Sequence, residues 1–184
     1  SVNGPKLAAL REAASALLDG LAPDETAALL TFRDETTLAE PPTTDKARVR
    51  RALAASEPLG STALRDAVYA ALRVREPGQR RTAVIVFSDG IDNLSWLRAP
   101  DVIEAARRSD AVVYAVSARD RAEREDPFLR EVTAATGGRL WTVRGAADLR
   151  GRFLDVLEDI RSRYVLSFAP GPGGTPGWHS LQVR

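Results

Sequence analysis

The chain has no cysteine and a single histidine, His179, among its 184 residues. Without cysteine there is no disulfide, no thiolate metal site and no thiol nucleophile. That absence suits either redox compartment. His179 has no nucleophile to serve, because no Gly-x-Ser-x-Gly segment occurs anywhere, and it reads as an exposed residue of the last strand. Also missing are a Gly-x-x-x-x-Gly-Lys-Ser/Thr loop, a Gly-x-Gly-x-x-Gly turn and a pair of catalytic carboxylates. No apolar run approaches the roughly 20 residues that span a bilayer, so this segment is not expected to insert into a membrane. Charges of the two signs nearly cancel, with 26 Lys and Arg against 25 Asp and Glu. A net charge of +1 argues against nucleic acid or an anionic surface as the dominant partner. Arg48, Arg50, Arg51, Arg80 and Arg81 come without an aromatic platform and read as solvated helix faces.

What is present suits one domain with a full core, at 44% hydrophobic and 28% charged residues. Leu7, Leu10, Ala14, Leu17, Leu18 and Leu21 recur at helical spacing, which predicts a helix over about residues 6–19 ended by Gly20. Thr26–Phe32 reads as a strand, and Glu35–Glu40 as an edge strand stopped by Pro41 and Pro42. Thr44 is expected to cap a helix running to about Ala55, and residues 62–75 form the next helix. The β-branched run Thr82–Phe87 predicts a central strand covered on both faces. Pro100 opens a helix in its first turn, Ala111–Val116 is a strand, and Pro127–Thr136 is a helix closed by Gly137 and Gly138. Leu140–Val143 is a strand and Ala147–Arg163 a long helix. Tyr164–Phe168 and Trp178–Val183 read as an antiparallel pair around a Pro/Gly-rich loop. Alternating strands and helices predict a Rossmann-like, doubly wound, mostly parallel α/β sheet with helices on both faces. In such folds ligands bind beyond the carboxyl ends of the strands.

Three short segments carry oxygen beside glycine at such ends: Ser1-Val2-Asn3-Gly4, Gly60-Ser61-Thr62-Ala63-Leu64 and Ser88-Asp89-Gly90. Hard cations such as magnesium take hydroxyl and carboxylate oxygen from several loops at once. Singly, each segment is ordinary turn or cap chemistry. Together and in this order they resemble the von Willebrand factor A domain and its metal-ion-dependent adhesion site, whose motif runs Asp-x-Ser-x-Ser, then Thr, then Asp. The bacterial subgroup of these domains also shows a strand pair after the last helix.

The resemblance implies that Ser1, Thr62 and Asp89 hold Mg2+ (or Mn2+/Ca2+), Asp89 through water. It implies that the motif's Asp and first Ser, and the central strand carrying them, are missing ahead of Ser1, leaving either a wide gap or a pinched sheet between the strands at Thr26–Phe32 and Thr82–Phe87. Residues 1–163 would be the α/β domain and 164–184 a hairpin appendage. The implied function is non-enzymatic: a protein-binding, adhesive module in which an acidic side chain of a protein partner completes the cation's shell. The alternatives are a degenerate scaffold without metal and a magnesium-dependent phosphoryl-transfer or hydrolase relative. The resemblance points to the secreted or periplasmic side of a bacterium. Asp92 and Asn93 are expected to be solvated loop residues that could rim the site, and Asp66 to buttress its own helix. Trp96 is either a partner anchor or packed beneath its loop.

Overall fold

The computed structural model describes residues 5–57, 61–74, 82–88, 92–118, 127–143 and 146–164. Helical spacing at the start of the chain becomes α1 (Pro5–Gly20), followed by β1 (Ala27–Phe32) and β2 (Thr36–Thr43). Next come α2 (Lys46–Ala55), α3 (Leu64–Arg73), β3 (Thr82–Ser88) and α4 (Ala99–Arg107). The order closes with β4 (Ala111–Ala118), α5 (Pro127–Ala135), β5 (Leu140–Val143) and α6 (Ala146–Ser162). The expected strands at Tyr164–Phe168 and Trp178–Val183 lie, beyond Tyr164 itself, outside the described residues.

The strands form two separate sheets. β3, β4 and β5 are parallel, paired from Thr82↔Ala111 to Ser88↔Ser117 and from Ala115↔Leu140 to Ala118↔Val143. β1 and β2 form an antiparallel pair of their own. Among the described residues no ladder joins β1 to β3. β3 was expected to be covered on both faces, yet Ala83 is exposed and Ile85 and Phe87 are only half-buried. In β1 every residue is half-buried.

Helices cover both faces of the parallel sheet. Val84, Val86, Val113 and Ala115 pack under Leu64, Val68, Val102, Leu129 and Val132 from α3, α4 and α5. On the other face Ile85, Phe87, Val116 and Val143 meet Ala13, Leu149 and Phe153 from α1 and α6. α1 and α6 run side by side in the same direction: Glu12 pairs with Arg150 at 3.8 Å, and Arg161 donates to the carbonyl of Gly20. Because α6 follows closely after β5, both helices begin at the carboxyl pole of the sheet, so Pro5 lies at that pole. Near the far end of α6, Asp159 accepts from Tyr114 Oη at 2.6 Å and from Arg163 Nε at 2.8 Å, clamping the helix onto β4.

Two local expectations are corrected. β2 runs through Pro41 and Pro42 to Thr43, because the strand is an edge and register shifts between Ala27 and Leu30 absorb the mismatch. The cap of α2 is Asp45 rather than Thr44: its Oδ1 accepts from Ala47 N at 2.9 Å and Arg48 N at 3.3 Å. An ionised oxygen on a short side chain answers the helix's open N–H groups better than the hydroxyl one residue earlier. The expected solvated faces hold where they are described, with Arg48 on Glu40 and Arg50 on Asp19.

Candidate functional site

Thr62 lies in the loop that enters α3, two residues ahead of Leu64; the helix starts there and not at Thr62 itself. Ala63, at its cap position, offers no side-chain bond. The loop is held from both halves of the split sheet. On the β1 side, Ala63 N donates to the carbonyl of Arg33 at 2.9 Å, just past the strand's end. On the β3 side, Thr62 N donates to Asn93 Oδ1 at 2.8 Å and Thr62 O accepts from Asn93 N at 3.1 Å. The Thr62 loop therefore spans the mouth of the gap at the carboxyl pole. Both backbone groups of Thr62 are satisfied, and its Oγ1 has no hydrogen-bond partner among the described residues.

Ser1 and Asp89 fall outside the described residues, so of the three expected site residues only Thr62 is placed. Flanking positions locate the pole. Ser88 ends β3 and is buried, and Asn93 is bonded to Thr62. Among the described residues no three carboxylate or imidazole groups gather as a metal set. An unbonded threonine hydroxyl at a strand-end loop has the hard-oxygen chemistry that a magnesium-type ion accepts.

Asp92 departs from the sequence expectation. Its side chain is only 6% exposed, so it is neither a solvated loop group nor a free rim oxygen. Oδ2 accepts from Arg65 N at 2.8 Å, Oδ1 accepts from Arg65 Nη2 at 2.9 Å and Ser95 N at 3.1 Å, and Ser95 Oγ donates to Oδ2 as well. Burial by itself would raise its pKa; the bonds from Arg65 and Ser95 outweigh burial and hold it down at about 2. With both oxygens occupied, Asp92 has no vacancy for an ion.

Asp66 is corrected too. Its carboxylate reaches across to the other loop, accepting from Trp96 N and Leu97 N at 2.9 Å each, rather than supporting its own helix. Ser95 Oγ accepts from Arg65 N at 3.0 Å and Asp66 N at 3.2 Å, giving the first turn of α3 the cap its own loop lacks. Sequence reasoning missed this clamp of Asp92, Ser95, Arg65 and Asp66. The Asp-x-x-Ser spacing of 92–95 is the local signal of a self-bonded turn; that it caps a helix some 30 residues earlier has no sequence signal.

Trp96 is 93% exposed and Leu94 41% exposed. The indole is therefore not packed beneath its loop.

A family model described as von Willebrand factor type A domain matches residues 1–91. No curated protein matches the chain. Among solved structures, a von Willebrand factor type A protein from Catenulispora acidiphila is 18% identical at a TM-score of 0.72, over 82% of this chain and 37% of that one. Proximal thread matrix protein 1 from the mussel byssus is 19% identical at 0.69, over 86% of this chain and 41% of that one. The von Willebrand domain of the type V pili tip protein Mfa5 from Porphyromonas gingivalis is 11% identical at 0.64, over 89% of this chain and 90% of that one. This chain thus spans well under half of the first two.

Proposed function

The chain belongs to the von Willebrand factor type A family, by the match over residues 1–91 and by its α/β fold, and from that premise we propose a non-enzymatic module that binds a protein partner through a divalent cation. Ser1, Thr62 and Asp89 would hold the ion, Mg2+ before Mn2+ or Ca2+. When bound, the ion supplies an open coordination position that attracts a carboxylate. The chain's own residues set where that position can be. The Thr62 backbone is fixed in place by its two bonds to Asn93.

The observation carrying this reading is the Thr62 loop itself, fastened to both half-sheets yet with no hydrogen-bond partner for Oγ1 among the described residues. Hydrolysis is disfavoured by the neighbours. Among the described residues, the carboxylates of Asp66 and Asp92 beside the loop are occupied by N–H donors and cannot serve as general bases without losing them. The pili tip origin of one structural neighbour agrees with an adhesive role on the secreted or periplasmic side.

Titration of an acidic protein ligand into the domain at its natural length, with Mg2+ and with chelator, tests the reading. Binding is expected only with Mg2+, and Thr62→Ala or Asp89→Ala should weaken it about tenfold or more with little change in melting. Binding that survives both chelation and Thr62→Ala would overturn the proposal.

A further inference from the structure

Tryptophan is seldom left in water, because its ring gains more from burial than almost any other side chain. Trp96 is nevertheless 93% exposed, and Leu94, two residues earlier on the same loop, is 41% exposed. Ser95 between them turns the opposite way, with its hydroxyl bonded to Asp92 and to the first turn of α3. The loop does not depend on the indole for its shape. Asn93, Ser95, Trp96 and Leu97 all donate their backbone N–H groups to fixed acceptors on the Thr62 loop, Asp92 or Asp66. A large apolar ring held on a fixed backbone loses little conformational entropy when a partner covers it, and buried tryptophans dominate many interfaces.

We propose that Trp96, with Leu94 beside it, is the apolar anchor of the partner surface centred on Thr62. It receives a bulky apolar side chain of the partner that lies next to the carboxylate. This rests on the cation-mediated reading. Continuity decides the occupant: the Trp96 loop and the Thr62 loop are bonded to each other through Asn93, so one partner segment crosses both. Charge agrees, since Asp92 is paired with Arg65 and Arg98 with Asp101 at 2.9 Å, and the Asp66 carboxylate is engaged by the N–H groups of Trp96 and Leu97. That leaves the ring among compensated groups, where an apolar contact is favoured over a further charge.

Two short synthetic peptides test it, one with an Asp flanked by leucines and one with the Asp flanked by serines, each titrated with Mg2+ and with chelator. Binding is read from the Trp96 indole N–H signal by NMR and by calorimetry. The leucine peptide should bind about tenfold more tightly, and Trp96→Ala should erase that difference while the serine peptide is unaffected. Trp96→Phe should restore part of it. Thermal melting of Trp96→Ala should match the parent, since the ring contributes nothing to its own loop. A leucine preference that survives Trp96→Ala overturns the anchor and leaves the cation reading standing. A Trp96-dependent preference that persists under chelation upholds the anchor and overturns the cation. Failure of both peptides to bind overturns both.

Discussion

Asp92 shows how one side chain can join parts of the chain distant in sequence. Its carboxylate is buried, and four donors from Arg65 and Ser95 converge on it. Charge-assisted bonds of this kind make the ionised form strongly preferred in the folded state. The folded pKa of about 2 lies below the ordinary carboxylate value of 3.8, so the contribution is complete above about pH 4 and is lost as pH falls toward 2. It is on the order of 2 kcal/mol. Asp92→Asn should therefore lower stability in urea by about that amount at neutral pH and flatten the acid limb of the stability profile between about pH 4 and 2. An unchanged acid limb would show that Asp92 is not the titrating group. The sequence marks Asp92 and Ser95 as turn residues. It does not mark the turn as the cap of α3, because Arg65 is 27 positions away.

At the scale of elements, the joint between α5 and β5 is set by two glycines, Gly137 and Gly138. Gly137 takes a φ of +73°, the left-handed conformation that closes a helix and that residues with a Cβ avoid. Gly138 N then donates to Thr133 O at 2.8 Å, and Arg139 O accepts from Ala115 N at 2.9 Å, so the turn delivers the chain into the β4 ladder. A Cβ at Gly138 would stand 1.8 Å from the carbonyl oxygen of Val113, which is backbone and cannot move aside. Gly138→Ala should cost about 3 kcal/mol or more, against about 1 kcal/mol for Gly137→Ala. Melting curves of the two variants check the order, and a milder effect at Gly138 would contradict the close approach. Both glycines were legible as a helix stop; which one is a conformational requirement and which a steric one was not. β2 teaches the converse. Two prolines look like a stop in sequence, and an edge with shifted register accommodates them.

Over the whole molecule, the split of the sheet has the largest consequence. Among the described residues β3 is laddered to β4 on one side only, and β1 to β2 on one side only. In a parallel strand successive amides point to alternate sides, so every second N–H of β3 faces the gap rather than β4. Hydrogen exchange over residues 82–88 should show fast and slow amides in alternation, with the slow set facing β4. Uniform protection along β3 would mean that a strand fills the gap. Local patterning alone determined most elements, the α/β alternation and the polarity of the strand ends, because apolar period and turn chemistry are short-range properties. The resemblance carried by Ser1–Gly4, Gly60–Leu64 and Ser88–Gly90 drew attention to Thr62. Only the tertiary structure decided that Asp92 is a buried clamp, that Asp66 holds the opposite loop, and that Trp96 stands in solvent. Each of these depends on which segments meet at the carboxyl pole, and pairings across some 30 residues leave no periodic trace in a chain.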